Sequence, residues 1–151
     1  MTPPAAVTAD RLRVFIDSDV LIAGSASEGG ASFVVLHLAG LTLIDCFISR
    51  QVQIEVTRNL TRKLPGALPA FRTLVESALQ IVPDPSPQSI TACHNQADPK
   101  DVPILAAAVE SQCRFLLTFN TRHFRPTGEI PTVLRPGTFL GRLREYTALL
   151  E

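Results

Sequence analysis

The sequence predicts an α/β protein with a parallel sheet that is covered on both faces by helices. Short apolar segments alternate along the chain with segments of helical periodicity, which is the pattern of such sheets. The segments at 13–17 and 114–119 are nearly continuous apolar runs, as expected for strands buried on both faces. The length of 151 residues suits one domain with a substantial core.

The alternation begins with a strand at 13–17, which a short helical turn near 19–24 and a loop at 27–30 follow. The elements predicted after this loop are, in chain order, a helix at 31–41, a strand at 41–48, helices at 49–63 and 68–80, an irregular proline-rich segment at 81–89, a helix from 99–101 to about residue 112, a strand at 114–119, a turn or short helix at 120–124, a strand at 132–134 and a closing helix at 136–150. We expect one domain over residues 1–151, with a loose N-terminal arm at 1–11.

Capping and breaking residues set the bounds of two helices. Ser49 is a good N-cap for the helix at 49–63, and Pro65 with Gly66 ends that helix. Pro103 is tolerated only in a first helical turn, where its missing N–H would have no partner within the helix. The helix that contains Pro103 therefore begins near Lys100.

Composition narrows the class of protein. Hydrophobic residues make up 46% of the chain and charged residues 19%, which is typical of a soluble globular protein. No apolar run reaches the roughly 18 residues of a membrane helix, and the N-terminal sequence MTPPAAVTAD lacks the features of a signal peptide. Cys46, Cys93 and Cys113 form no CxxC pair, so we expect free thiols and no zinc site. These features predict a cytoplasmic protein without membrane association.

The formal net charge is zero, whereas proteins that bind nucleic acid mainly through electrostatics are usually basic. The arginines are unevenly distributed, with concentrations at 50–63 and 114–144. Local basic surfaces and ordinary solvated arginines both remain open at this point.

Several polar residues end or directly follow predicted strands. Asp17 and Asp19 come at the end of the first strand, and Thr118 and Asn120 come at the end of the strand at 114–119. Ligands in open α/β sheets bind at the carboxyl ends of the strands. We therefore expect these four residues to gather on one rim of the sheet.

Three further acids can reach the same rim. Glu55 lies about 60° around its helix from the apolar stripe, at the boundary between buried and exposed positions. Asp98 lies just before the helix that contains Pro103, and Asp101 lies in its first turn. Each acid alone also has an ordinary explanation as a helix cap or a surface charge.

Taken together, three to five acids converge on one edge of an otherwise neutral chain. Like charges brought together repel and raise one another's pKa, and a divalent cation relieves this repulsion. Mg²⁺ and Mn²⁺ prefer carboxylate oxygens. The sequence therefore indicates a carboxylate metal site, for which hydrolysis of phosphodiester bonds is a common use.

The order of these motifs resembles the PIN-domain family of nucleases. The resemblance spans about residues 13–140 and rests on the strand that leads into DSDVL, followed by QVQIEVTRNL, DPKDVPILAAAVE and LLTFNTRHF. It implies a three-layer α/β/α fold with a central, mostly parallel sheet of four or five strands. It also implies Mg²⁺- or Mn²⁺-dependent endonucleolytic cleavage of RNA, often by the toxin of a bacterial toxin–antitoxin pair, and it favours a homodimer.

By position, the resemblance assigns the three acids of the family to Asp17, Glu55 and Asp101, as catalytic and metal-binding residues. Thr118 matches a hydroxyl residue near the site. Asn120 corresponds to the place where many members supply a fourth acid.

Two departures from the family pattern stand out. Asp19 occupies a position where asparagine is common, and Asn120 stands where an acid is expected. Asp98, close in sequence to Asp101, could compensate for the missing acid.

The resulting hypothesis is that Asp17, Glu55 and Asp101 hold one or two metal ions, with Asp98 and Asn120 as further ligands. Asp19 and Thr118 support the site. His123 is interpreted as a packing or surface residue, with assistance to proton transfer as the alternative. The side chains expected to contact RNA phosphates are Arg50, Arg58, Arg122 and Arg125.

Other classes of protein share part of this pattern. The segment FIDSDVL also resembles the opening of haloacid-dehalogenase-type phosphatases, with Asp17 as nucleophile, but no lysine follows Lys100. A receiver-type signalling domain would need a phosphorylatable aspartate after a middle strand and a late lysine. A catalytically weak PIN-like module that binds nucleic acid or serves as a scaffold is the non-enzymatic alternative.

Overall fold

The computed structural model describes residues 11–149 of the chain. Five strands form one sheet in the order β3-β2-β1-β4-β5, and every pair of neighbours is parallel. The strands are β1 (Arg13–Ile16), β2 (Asp45–Ser49), β3 (Leu79–Val82), β4 (Phe115–Leu117) and β5 (Thr132–Leu134). Apart from Arg11, the predicted N-terminal arm lies outside the described residues.

Seven α-helices accompany the sheet within the described residues. They are α1 (Ser18–Ala26), α2 (Ala31–Gly40), α3 (Arg50–Lys63), α4 (Leu68–Ser77), α5 (Pro87–Ala92), α6 (Val102–Glu110) and α7 (Pro136–Leu149). Helix α1 packs against α2, α3 and α4, and α7 packs on α2. Helix α5 packs on α6, which lies against β2 and β4. The prediction of a three-layer α/β/α fold around a parallel sheet is confirmed.

The central strand β1 explains why the first apolar run lacks alternation. Val14, Phe15 and Ile16 have no exposed surface, because β1 has neighbours on both sides and helices over both faces. The chain extends the sheet from β1 to β3 in one direction and then crosses through α5 and α6 to add β4 on the other side of β1. The carboxyl ends of β1 and β4 therefore flank the point where the strand order reverses, where α/β sheets bind ligands.

Local sequence signals set several helix bounds as predicted. Ser49 is the N-cap of α3, and its hydroxyl accepts a hydrogen bond of 3.3 Å from the backbone N–H of Val52. The apolar stripe of α3 faces the core, since Val52, Val56 and Leu60 have no exposed surface. Pro103 lies in the first turn of α6, directly after a 3₁₀ turn at Pro99–Asp101.

Three sequence-based predictions of elements are wrong in part. The segment 81–89 was expected to be irregular, but Leu79–Val82 pairs with β2 as the edge strand β3, and Pro87–Ala92 forms α5. The prolines permit this, because Pro87 occupies the first turn of α5, where a missing N–H costs nothing. The helix predicted at 68–80 ends at Ser77, since Leu79 continues its apolar face but belongs to β3. The strand predicted at 41–48 begins only at Asp45.

No single helix among the described residues is both long and apolar enough to cross a membrane. Helices α1 and α2 are long and apolar enough for a membrane span only when they are taken together, and they are bent by 91° relative to each other.

The close contact between α1 and α2 yields a prediction. A Cβ built on Gly24 would overlap the Leu36 side chain and lie 3.3 Å from the backbone of Ser32, whereas a Cβ on Gly40 would meet open space. We expect Gly24→Ala to lower the free energy of unfolding by about 1–3 kcal/mol through overpacking. Denaturant unfolding measures this change. Gly40→Ala is the matched control and should remain within about 1 kcal/mol of the wild type. Equal stabilities of the two variants would contradict the close packing.

Candidate active site

The site begins where the two central strands end. The backbone N–H of Asp17 donates to the carbonyl of Leu117 over 3.0 Å, so the ends of β1 and β4 lie side by side. The hydroxyl of Thr118, which has no exposed surface, donates to Asp17 Oδ2 over 2.9 Å. These two bonds fix the side chain that follows β1 against the residue that follows β4.

Asp17 is a buried acid with a structural and an electrostatic role. It is the N-cap of α1, and its Oδ1 accepts a 2.8 Å hydrogen bond from the backbone N–H of Ser18. Only 7% of the residue is exposed. Burial, together with the charge of Asp19, raises the pKa of Asp17 from 3.8 to about 6, although the bonds from Thr118 and Ser18 oppose the change. Asp17 therefore caps α1, as its position suggested. Its ionised form is disfavoured by burial and by the neighbouring negative charge.

Asp19 is anchored to the loop after β4. Its Oδ2 accepts hydrogen bonds from the backbone N–H of Phe119 over 3.0 Å and from Asn120 Nδ2 over 3.2 Å. Its Oδ1 is buried and has no hydrogen-bond partner among the described residues. Burial raises the pKa of Asp19 as well. Asp19 and Asn120, the two departures from the family pattern, are thus in direct contact.

Glu55 approaches the same region from α3. Gln51, one turn earlier on the helix, donates from Nε2 to Glu55 Oε1 over 3.0 Å. The backbone N–H of Gln51 in turn donates to Asp84 over 2.9 Å. Gln51 therefore orients the Glu55 carboxylate at the half-buried position that the helical pattern predicted.

These acids surround one polar cavity of about 220 Å³. Its lining residues come from the ends of β1 and β4, from α3 and from the start of α6, and they are Asp17, Ser18, Asp19, Glu55, Lys100, Asp101, Ile104, Asn120 and His123. Four carboxylates from three distant segments of the sequence thus share one cavity. Their catalytic and metal-binding roles stay predictions.

Asp98 lies beside this cavity and not in its lining. Its Oδ1 accepts a bond of 3.1 Å from Arg125, and its Oδ2 is 3.8 Å from His123 Nδ1. His123 Nδ1 is also 3.1 Å from Asp101 Oδ2. Asp98, Asp101 and His123 each have one atom that could bind a metal ion, and these three atoms lie within 4.8 Å of one another. Among the described residues, these three form such a group.

His123 and Lys100 line the cavity, although the sequence analysis did not place either of them among the predicted metal-binding, supporting or RNA-binding residues. Asp98 N donates to the carbonyl of His123 over 2.8 Å, next to a bridge between Ala97 and Phe124. This pairing between distant segments brings His123 to Asp101. The interpretation of His123 as a packing or surface residue is incomplete, since the ring is one third exposed and contacts two carboxylates. The sequence did contain one signal for a site role of His123, since this histidine lies three residues after Asn120, the position where the family's fourth acid is expected.

The four arginines expected to contact RNA are all exposed on the surface, and none of them belongs to the described lining of the cavity. Arg125 forms an ion pair with Asp98. The described lining of the cavity contains one lysine, Lys100, and no arginine. Contacts of Arg50, Arg58 and Arg122 with phosphate remain a prediction.

The donor set of the cavity suits a hard divalent cation. Asp17, Asp19, Glu55 and Asp101 offer carboxylate oxygens, which Mg²⁺ and Mn²⁺ prefer. The buried Oδ1 of Asp19 lacks a hydrogen-bond partner among the described residues, and the pKa of Asp17 is raised in a cluster of like charges. A bound cation would relieve both conditions.

Fold and site together define an α/β protein with an acidic cavity at the switch point of a parallel sheet. The family model described as a PIN domain matches residues 13–122, and the chain therefore belongs to the PIN-domain family. This membership decides against the haloacid-dehalogenase and receiver alternatives. No curated protein matches the sequence significantly.

Two solved structures have a similar fold. The first is a chain from the crystal structure of VapBC2 of Rickettsia felis bound to a DNA fragment from their promoter, with a TM-score of 0.57 and 15% identity over 74% of this chain and 90% of that chain. The second is VapC20 of Mycobacterium tuberculosis, a toxin that cleaves the sarcin–ricin loop, with a TM-score of 0.52 and 13% identity over 78% of this chain and 98% of that chain. At these identities the likeness concerns the fold.

The raised pKa of Asp17 predicts how the metal-free protein responds to pH. Below about pH 4 Asp17 is protonated in both states, whereas between about pH 4 and pH 6 the unfolded chain ionises first. The unfolding free energy should therefore fall by about 1–3 kcal/mol as the pH rises through this window. Asp17→Asn should remove this loss and stabilise the protein at neutral pH, as measured by urea unfolding in EDTA. Glu76→Gln, at an exposed position, is the control; a wild-type profile unchanged by Asp17→Asn would contradict the assignment.

Proposed function

We propose that this protein is a metal-dependent endoribonuclease and the toxin of a toxin–antitoxin pair. Membership in the PIN-domain family supports a nuclease. The observation that carries the proposal is the convergence of Asp17, Asp19, Glu55 and Asp101 on one cavity at the sheet's switch point. Bound there by these carboxylates, Mg²⁺ or Mn²⁺ would supply an acidified water and offset the charge that develops on the phosphate.

The residues of the chain prepare this cavity for a phosphodiester. Thr118 holds Asp17, Asn120 and the backbone of Phe119 hold Asp19, and Gln51 holds Glu55. Such contacts around the ligands fix their orientation before substrate arrives. Lys100 offers a positive charge in the lining for a phosphate oxygen, and the exposed arginines Arg50, Arg58 and Arg122 would extend this contact along the RNA.

The biological setting forms part of the same proposal. The fold is shared with a chain of the VapBC2 complex and with VapC20, a toxin that cleaves the sarcin–ricin loop. By analogy we infer an RNA substrate and a protein antitoxin that binds the folded chain. A homodimer and a cytoplasmic location complete the proposal, since cellular RNA is the target.

An RNA cleavage assay tests the catalytic role of the cavity. With Mg²⁺ or Mn²⁺ present, the wild type should cut a structured RNA internally, and EDTA should stop the reaction. Asp17→Asn and Asp101→Asn should each lower the rate by about 100-fold or more, because each removes a charge from the metal site. Asp45→Asn is the matched control, since Asp45 lies at the start of β2 and pairs with Arg11. Activity retained in both cavity variants would reject the site.

The alternative of a catalytically weak module is favoured by Asn120 in the place of the family's fourth acid and by the pairing of Asp98 with Arg125. Calorimetric titration with Mn²⁺ separates the two functions. Binding that depends on Asp17 and Asp101 supports the nuclease, whereas absence of binding at millimolar Mn²⁺ supports the scaffold.

We further propose that His123 contributes a nitrogen ligand beside Asp101 and favours Mn²⁺ over Mg²⁺. Its Nδ1 lies 3.1 Å from Asp101 Oδ2 and belongs to the group of three possible ligands with Asp98. An imidazole nitrogen favours transition metals over Mg²⁺, which prefers oxygen ligands.

Pulsed electron paramagnetic resonance of the Mn²⁺-loaded protein tests this ligand directly. We expect ¹⁴N modulation from one histidine, its loss in His123→Gln, and Mn²⁺ affinity lowered by about tenfold in that variant. His94→Gln, which changes an exposed histidine outside the cavity lining, should retain the modulation. Mn²⁺ binding without nitrogen modulation would contradict the role of His123 while leaving the nuclease proposal intact.

A further inference from the structure

A large groove opens at the end of the sheet opposite the acidic cavity. Its residues lie at or just before the starts of β1, β2 and β4 and on α7, and the groove has a volume of about 810 Å³. The lining consists of Arg11, Leu12, Arg13, Leu43, Ile44, Gln112, Arg114, Phe115, Phe139, Arg142, Leu143 and Tyr146. We call it the arginine groove. None of these residues belongs to the described lining of the acidic cavity at the carboxyl ends of the strands.

The floor of the arginine groove is apolar. Phe115 and Phe139 pack edge to face with their ring centroids 5.3 Å apart. Leu43 and Tyr146 stand at its margin and are 61% and 66% exposed, among the most exposed large hydrophobic residues of the described chain. Phe139 has no exposed surface, whereas Leu12, Phe115 and Leu143 are partly exposed, so these three side chains and the two at the margin give the groove its accessible apolar part.

The charge of the arginine groove is strongly one-sided. Four arginines and no acid belong to its described lining, although the whole chain has 14 basic and 14 acidic residues. Arg13 is fixed, because it donates to the carbonyl of Ser111 and its guanidinium lies 4.1 Å from the centroid of the Phe47 ring. Arg11 pairs with Asp45 over 3.4 Å. Arg114 and Arg142 are exposed and face the groove.

We propose that the arginine groove binds an acidic amphipathic helix of a partner protein. Apolar anchors of such a helix at i, i+3, i+4 and i+7 would occupy the floor, and glutamates or aspartates on its flanks would pair with Arg114 and Arg142. The charges complement each other, since the groove offers positive charge around an apolar centre.

Other occupants match the arginine groove less well. RNA would satisfy the arginines but would leave the aliphatic surface of Leu12, Leu43 and Leu143 without a partner. A symmetric dimer through this groove would bring the arginines of two copies together. Residues 1–10, which adjoin Arg11 and lie outside the described part, contain one acid.

Fluorescence anisotropy with the full chain tests the proposal. The probe is a fluorescein-labelled synthetic helix of about 15 residues, with leucines at i, i+3, i+4 and i+7 and glutamates on both flanks. We expect saturable binding that weakens as salt is raised, because exposed ion pairs are screened. A probe with glutamine in place of every glutamate should bind at least about tenfold more weakly.

Matched variants locate the binding. Arg142→Glu and Leu43→Asp should each weaken the glutamate probe by about tenfold. Arg144→Glu, on the same helix, and Leu41→Asp, two residues from Leu43, change exposed residues outside the described lining and should bind within about twofold of the wild type. Unchanged circular dichroism would show that all four variants fold. The assay is independent of RNA cleavage.

Several results would overturn the proposal. These are equal binding of the glutamate and glutamine probes, no binding of either, and no effect of Arg142→Glu and Leu43→Asp. Displacement of the probe by a uridine 20-mer that itself requires Arg142 would assign the groove to RNA instead. Displacement by a peptide of residues 1–10, or a dimer in sedimentation velocity that Leu43→Asp dissociates, would assign it to the chain itself.

Discussion

The hydrogen bonds that hold Asp17 at the buried end of β1 organise the site. One carboxylate oxygen caps α1 through Ser18, the other accepts from Thr118, and the backbone N–H joins the end of β4. The same residue therefore fixes where β1 ends, where α1 begins and how β4 lies beside β1. Because burial raises its pKa to about 6, the ionised side chain carries a free-energy cost at neutral pH. A site that is costly without a cation is well prepared to bind one.

Local sequence signals predicted the parts of the molecule that depend on neighbours in the chain. The N-cap Ser49, the first-turn Pro103 and Asp17 as N-cap of α1 each act on residues within a few positions in the chain. Strand β3 escaped prediction because its residues are half exposed at the sheet edge and gain their order from pairing with β2. The approach of His123 to Asp101 depends on contact between segments 97–98 and 123–124, for which neither segment carries a local signal.

The neutral net charge of the chain conceals a separation of charge across the sheet. Carboxylates line the cavity at the carboxyl ends of the strands, whereas the described lining of the groove at the amino ends contains four arginines and no acid. Net charge alone therefore argued against a partner that recognises charge, whereas the spatial arrangement offers two surfaces of opposite sign. Parallel strands make this separation possible, since all their amino ends lie at one edge and all their carboxyl ends at the other.

The contact between Asp19 and Asn120 connects the two departures from the family pattern. A position where asparagine is common carries an acid, and a position where an acid is expected carries an amide, which donates to that acid over 3.2 Å. An acid at both positions would place two like charges at hydrogen-bond distance inside a cluster that already raises the pKa of Asp17. Relative to the pattern that the resemblance implies, the exchange would keep the number of negative charges in the cavity and would move one of them from the loop after β4 to the start of α1. This contact gives a physical reason for the two departures to occur together, since each offsets the change in charge that the other makes.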